Sequence, residues 1–259
     1  LRAEKRAGWL AALGIATMTV ATMGVVTTCR GGAGGAAGRG AANAAYPRPD
    51  RPVAGIVSPE WSDESQRDAE GEADTVMARL GIGAGTRVAD VGAGSGYYTV
   101  RLARRVLPGG RVYAEDIMPA YLTALTARVR DSAFTDVEVI RGLPDDPRLP
   151  AASIDVAMLI HMYHEIEEPF ALLEHLYPAF RAGQGRVAIV DMDRPTGSHG
   201  TPPALLRCEL AAVGYRETRV TTLATGYLAE FAAPATADSL PPPSAIRGRL
   251  ATLGCKTTR

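Results

Sequence analysis

The sequence predicts an α/β domain built on a doubly wound, mostly parallel sheet. Two observations carry that expectation. Short apolar, β-rich runs alternate with stretches of helical periodicity from Arg87 to Val190. The first run, Val88 to Val91, breaks into Gly92, Gly94 and Gly96 and re-forms at once as an amphipathic helix. A strand that turns through glycines into a helix gathers backbone N–H groups and a helix N-terminus at one spot, which suits the polar parts of a nucleotide-like ligand.

The elements follow in order. Ala69, Ala73, Val76, Met77 and Leu80 recur at helical spacing, predicting a helix from Ser62 to Leu80 that Ser62 or Asp63 caps and Gly81 ends. The helix after the glycine turn stops at Pro108-Gly109-Gly110. A second strand spans Val112 to Glu115, a helix runs from about Pro119 to Val129, and Val137 to Ile140 is a third strand. Ile154 to Ile160 is the most apolar strand and leads into His161-Met162-Tyr163-His164-Glu165. Phe170, Leu173, Leu176, Tyr177 and Phe180 mark a helix, and Val187 to Val190 a fifth strand. After a helix from Ala204 to Ala212, two strand-like runs, Arg216 to Leu223 and Tyr227 to Phe231, flank Ala224-Thr225-Gly226. That spacing suits an antiparallel hairpin on the sheet edge. Beyond Pro234 the chain is polar and Pro-rich, so residues 234–259 are expected to be a disordered tail.

The front of the chain differs. Residues 7–29 carry no charge and follow Arg2, Lys5 and Arg6, so residues 1–29 read as an export signal or membrane anchor. Val26-Thr27-Thr28-Cys29 resembles a bacterial lipoprotein cleavage site. Residues 30–50, rich in Gly and Ala, have little to bury and read as a linker, leaving residues 51–233 as the folded domain. Lys+Arg and Asp+Glu both number 28, and this zero balance argues against a general nucleic-acid binder. The cysteines Cys29, Cys208 and Cys255 are widely separated and suggest neither a metal site nor a disulfide framework.

Two cofactor classes use a glycine turn after the first strand. A dinucleotide fingerprint needs a third glycine where Tyr97 stands, and Asp90 beside the turn would repel a pyrophosphate. An unpaired carboxylate inside an apolar strand is costly, so Asp90 calls for a partner, with a ligand cation the natural choice. S-adenosylmethionine has that character: an ammonium, a sulfonium and no phosphate. Val88-Ala-Asp-Val-Gly-Ala-Gly-Ser-Gly96 resembles motif I of class I S-adenosylmethionine-dependent methyltransferases. Gly110 to Pro119 resembles their second strand with its acidic end, Ala152 to Ile160 their fourth strand, and Phe180 to Val190 their passage into the fifth. The likeness spans about residues 63–232 and lies nearest the ubiquinone-biosynthesis-like branch.

The resemblance implies a Rossmann-like sheet of strand order 3-2-1-4-5-7-6, with S-adenosyl-L-methionine as cofactor. It places Asp90, Gly92, Ala93, Gly94 and Gly96 around the methionine part and Asp116 on the ribose, with Glu115 as its rival. Asp145 would approach the adenine, and Ile160 closes the fourth strand beside the cofactor. The first helix would cover the site as a lid.

His161, His164 and Glu165 sit where this family places residues near the transferred methyl group, and a histidine or carboxylate there could take a proton from the acceptor. Packing and helix-capping roles are open for the same histidines. His-x-x-His-Glu is not the helical His-Glu-x-x-His order, so no metal is expected. The Asn/Asp-Pro-Pro-Tyr motif of DNA and glutamine methyltransferases is absent, leaving a small, hydrophobic acceptor as the expected partner and no nucleic acid. Two rival functions stand: a methyltransferase-like binding protein without turnover, and an NAD-dependent oxidoreductase. The N-terminus sets a conflict, because S-adenosylmethionine is made in the cytosol. Membrane association or export through residues 7–29 is expected, with the cytoplasmic face still open.

Overall fold

The computed structural model describes residues 45–57, 64–183 and 185–255. The expected leader at residues 1–29 with Cys29, most of the expected linker and the expected Ser62/Asp63 cap lie outside these residues. Among the described residues, no helix is long and apolar enough to cross a membrane.

Seven strands form one sheet in the order β3-β2-β1-β4-β5-β7-β6, as the resemblance implied. β1 (Arg87–Val91) pairs in parallel with β2 (Arg111–Asp116) and β4 (Val156–Ile160). β2 also pairs with β3 (Val137–Arg141), and β4 with β5 (Arg186–Asp191), again in parallel. The hairpin β6 (Arg216–Leu223) and β7 (Gly226–Ala232) adds an antiparallel edge to β5.

Strand alternation divides the core into two layers. Val88, Val112, Val156 and Met158 meet α2 (Glu72–Arg79) and α3 (Tyr97–Val106) on one face. Ala114 meets α4 (Pro119–Asp131) on that same side. Ala89, Val91, Ala157 and Leu159 meet α5 (Pro169–Leu176) and α6 (Pro203–Val213) on the other. A short helix, α1 (Glu64–Glu70), precedes α2 and buries none of its residues. The single helix expected from Ser62 to Leu80 is therefore two, divided where Gly71 takes φ 65°.

The C-terminal tail corrects the expectation of disorder. α7 (Pro243–Leu253) begins with proline at its first turn, a position that needs no N–H donor. Ile246 is fully buried, and Arg249 donates from Nε to the Ala212 carbonyl at 2.7 Å, closing the end of α6. Cys208 and Cys255 form a disulfide with Cα atoms 5.5 Å apart, against the expectation of unpaired cysteines. Positions 208 and 255 meet only because α7 folds back onto α6, which spacing along the chain does not reveal.

Ordered packing also begins before Arg51, because Tyr46 sets its ring edge-on to His175, 6.1 Å between centroids. The strap 45–57 then crosses the C-terminal ends of the strands. Ala54 N donates to the His164 carbonyl at 3.1 Å, and Thr196 Oγ1 to the Pro52 carbonyl at 2.7 Å. Tyr121 Oη donates to the Val57 carbonyl at 3.2 Å. The strap is anchored by the buried Arg51, whose Nε donates to Glu209 Oε1 at 2.9 Å while Tyr163 Oη donates to Glu209 Oε2 at 2.9 Å. Burial raises the Glu209 pKa, and Arg51 opposes that rise.

Removing one member of a buried pair leaves the other charge uncompensated. Arg51→Met is expected to cost about 3–5 kcal/mol, read by urea unfolding. A loss under 1 kcal/mol would mean that the strap is held by its backbone bonds alone.

Candidate active site

The strand C-termini, the strap and α1 enclose a cavity of about 970 Å³. One half is built on the glycine turn. Gly92, Gly94 and Gly96 have φ of 71°, 56° and 91°, left-handed values that residues with a Cβ rarely adopt. Gly92 and Gly94 line the cavity with Ala93 between them. Gly96 does not reach it: a Cβ there would stand 2.6 Å from Leu125 Cδ1, so this glycine serves the contact between α3 and α4.

The turn's N–H groups are engaged by acids of β2 rather than free. Gly94 N donates to Asp116 Oδ2 at 2.8 Å, and Gly92 N to Glu115 Oε2 at 3.3 Å. Asp116 Oδ1 also accepts from Met118 N at 2.8 Å. A carboxylate has about four lone-pair sites, so Asp116 retains acceptor capacity toward a diol. Burial raises its pKa and those backbone bonds oppose the rise. Burial and then the neighbouring Asp116 charge push Glu115 up to about 8. Gly142 leaves the space that the Glu115 carboxylate occupies, and a Cβ there would displace it.

Asp90 departs from expectation. It is 2% exposed and does not line the cavity. By strand alternation it shares the face of Val88 and points toward α3, where Thr99 Oγ1 donates to its Oδ2 at 2.6 Å. Its backbone partner is Thr99 as well, so Asp90 serves the first turn of α3 instead of a ligand cation. Burial pushes its pKa up to about 6, against the Thr99 hydrogen bond. Asp145 is likewise outside the cavity, accepting through its carbonyl from His175 Nδ1 at 2.7 Å, while Leu143 and Pro144 line the wall in its place. Ile160 lines the cavity as expected.

The other half of the cavity gathers three of the chain's four histidines, His161, His164 and His199. His161, at φ 54°, turns its Nε2 to Glu72 Oε2 at 2.8 Å. Burial works against the Glu72 charge, but His161 and Arg67 hold its carboxyl down to about 2. Arg67 Nη2 and Tyr98 Oη both donate to Glu72 Oε1, at 2.8 and 3.0 Å. The buried His164 sets Nδ1 3.1 Å from each oxygen of Asp191, and Asp191 in turn accepts from Thr201 Oγ1 at 2.7 Å and Met192 N at 2.9 Å. That pairing presents Nε2 on the side of Glu165, 3.9 Å from its Oε1. Burial raises the Glu165 pKa, and its Oε1 accepts from Val57 N at 3.2 Å.

Glu72, Asp191 and His199 were not singled out from sequence. Asp191 ends the fifth strand, where loops of such sheets carry ligand-binding groups, and that position was the available signal. α1 covers the cavity through Gln66, Arg67 and Glu70. It is attached by Arg128 to Glu64 and by Arg101 to Asp68, with Arg101 also stacked 3.7 Å from the Tyr97 ring centroid.

Glu115 generates a pH dependence. Its folded pKa of about 8 lies above the ordinary 4.5, so the unfolded chain releases this proton first as pH rises. Glu115 therefore subtracts stability progressively across that window and not below it. Glu115→Gln is expected to raise Tm by roughly 5 °C at pH 8, with the gain vanishing by pH 4.5. Thermal melts across pH test this, and a gain that is equal at both ends would remove the assigned cause.

Comparison with known proteins agrees with this geometry. A family model described as a methyltransferase domain matches residues 88–191. The chain is 25% identical over 120 residues to a demethylmenaquinone methyltransferase from Anoxybacillus flavithermus, covering 46% of this chain and 50% of that protein. It is 36% identical over 103 residues to a protein-L-isoaspartate O-methyltransferase from Aeropyrum pernix, covering 38% and 37% of the two chains. The chain thus spans about half the length, or less, of these curated relatives. Its fold is similar to a crystal structure of a SAM-dependent methyltransferase from Aquifex aeolicus, with TM-score 0.57, 23% identity, and coverage of 66% of this chain and 97% of that one. Residues 88–191 are thus similar to a methyltransferase domain, and the whole sheet has the Rossmann-like fold seen in the SAM-dependent methyltransferase from Aquifex aeolicus.

Proposed function

We propose that this chain transfers the methyl group of S-adenosylmethionine to a small, partly apolar acceptor. One observation carries the reading: a single cavity joins the glycine turn and Asp116 to a chamber holding His161, His164 and Glu165. The cofactor half fits a cation without phosphate, because Glu115 and Asp116 already occupy the turn's N–H groups and the Asp116 carboxylate would repel a pyrophosphate. The bound cofactor supplies an electrophilic methyl group on a sulfonium.

The chain's own residues do the rest. Asp116 accepts from the ribose hydroxyls, Gly92 and Gly94 permit close approach, and Leu143 with Pro144 offers an apolar wall to the adenine. His164, oriented by Asp191, takes a proton from the acceptor at Nε2. α1 and the strap exclude water and hold the acceptor in line, which supplies much of the rate. The Anoxybacillus relative is named for demethylmenaquinone, which supports a quinol-like acceptor here.

A second reading, a methyltransferase-like binding protein without turnover, is favoured by the Cys208–Cys255 disulfide. Disulfides persist mainly in oxidising compartments, which agrees with export or membrane attachment through residues 7–29 and anchoring at Cys29. Protease added to intact cells separates the two: digestion of residues 51–233 favours the exported binder, and full protection favours a cytosolic enzyme.

Calorimetric titration is expected to show S-adenosylmethionine binding and no NAD binding. Asp116→Ala should weaken that binding at least about tenfold, the loss of one charge-assisted hydrogen bond. With labelled cofactor and a panel of hydroquinones and phenols, His164→Gln should lower kcat by about 10²–10⁴ while cofactor affinity holds. Wild-type protein that binds NAD instead, or binds neither cofactor, would refute the proposal.

A further inference from the structure

We propose that His164, Glu165 and His199 bind a divalent transition-metal ion at the acceptor end of the cavity. One ligand atom from each residue lies within 4.8 Å of the others, and all three residues line the cavity. The trio differs from the sequence cluster: His161 is turned away to Glu72, and His199 arrives from the loop after β5 in its place.

The arrangement is built at two levels. Asp191, fully buried, holds His164 Nδ1 with both oxygens, so the proton sits on Nδ1 and the Nε2 lone pair is available. A carboxylate behind a histidine is the usual outer support of a metal-binding imidazole, fixing its tautomer and raising its basicity. His199 occupies φ 57°, ψ 58°, a left-handed conformation uncommon for a residue with a Cβ. The loop that imposes it is fastened on both sides, by Thr196 to the Pro52 carbonyl and by Thr201 N to the Met192 carbonyl at 2.9 Å. Its ring meets His164 edge-on, 5.5 Å between centroids. Glu165 follows His164 on the same 3-10 turn, Tyr163–Glu165.

Two imidazoles and one carboxylate suit Zn²⁺, Fe²⁺, Mn²⁺ or Co²⁺ better than the all-oxygen preference of Ca²⁺ or Mg²⁺. Bonds of about 2.0–2.2 Å place neighbouring ligand atoms roughly 3.0–3.5 Å apart. The observed 3.9 Å between His164 Nε2 and Glu165 Oε1 is wider than this, so metal binding draws Glu165 inward from its bond with Val57 N. Three protein ligands leave coordination positions open toward the cavity. An ion there would occupy the His164 Nε2 lone pair, hold an acceptor oxygen and favour its ionised form, replacing the direct proton transfer to His164 that the metal-free site would use. On the methyltransferase reading, on which this consequence rests, the acceptor class narrows to molecules with an ionisable oxygen, such as phenols or enols. Metal binding itself does not depend on that reading.

The test uses the full chain, stripped with chelator and titrated with Co²⁺, followed by its visible d–d absorption and by competition with Zn²⁺. One equivalent is expected to bind. Glu165→Gln and His199→Ala should each weaken binding at least tenfold, Asp191→Asn should weaken it by about 10–100-fold, and His161→Ala should leave it unchanged. Circular dichroism identifies any variant that fails to fold, and Glu165→Gln, a near-isosteric change, keeps the comparison decisive. Absence of Co²⁺ bands in the folded wild type, or equal affinity in Glu165→Gln and His199→Ala, overturns the site. Parallel titration with S-adenosylmethionine keeps the outcomes apart: metal binding without cofactor binding refutes the methyltransferase reading alone, and the reverse refutes the metal site alone.

Discussion

The site depends on a constraint at the ends of β1 and β2, where three acids crowd around three glycines. Asp116 and Glu115 hold the N–H groups of Gly94 and Gly92, and Asp90 braces the first turn of α3 through Thr99. Each bond fixes a backbone that glycine alone would leave loose. The cost is that burial disfavours the charged forms of these acids, visible in the raised pKa values of Asp90 and Glu115, and the carboxylate that lines the cavity beside Glu115 is Asp116. A pocket of this kind prefers a cation and disfavours phosphate before any particular contact is made. The same bonds thus shape the turn and select the charge of its ligand.

The acceptor half uses the opposite arrangement. Two of its three histidines are oriented by separate carboxylates, His161 by Glu72 from α2 and His164 by Asp191 from β5. Asp191 stands behind the His164 ring, outside the cavity lining, whereas Glu72 lines the cavity beside His161. Sheet, lid helix and loop therefore all contribute to one chamber, and the Arg51–Glu209–Tyr163 cluster binds the strap beneath it to the core.

Much of the fold was legible because strand and helix periodicities are local. The strand order came through the motifs around Asp90, Asp116 and Ile160, which lie on β1, β2 and β4, neighbours in the sheet. What escaped depends on contacts distant in sequence. Asp90 was assigned to the ligand because its strand parity relative to α3 was not weighed, although Val88 and Asp90 must share a face. Leu143 and Pro144 replace Asp145 at the wall, a matter of loop path that composition does not encode. His199 lies 35 positions beyond His164, the difference of the two residue numbers, and only the crossover from β4 to β5 brings them together. The terminal helix was hidden by its prolines, read as breakers when one of them opens the helix, while Ile246 and Leu250 already carried helical spacing.

The lid helix α1 is attached without burying a single residue. Its ties include one nearly buried pair, Arg67 with Glu72, and two solvent-facing pairs, Glu64 with Arg128 and Asp68 with Arg101, the Asp68 side chain being 51% exposed. Charges in such positions interact over a screening length of about 8 Å at physiological salt, and over less as salt rises. The sheet, sealed by apolar contacts, is indifferent to that change. Added salt therefore weakens the outer ties of α1 first, while the Arg67–Glu72 pair on its inner side, nearly out of solvent, is screened much less.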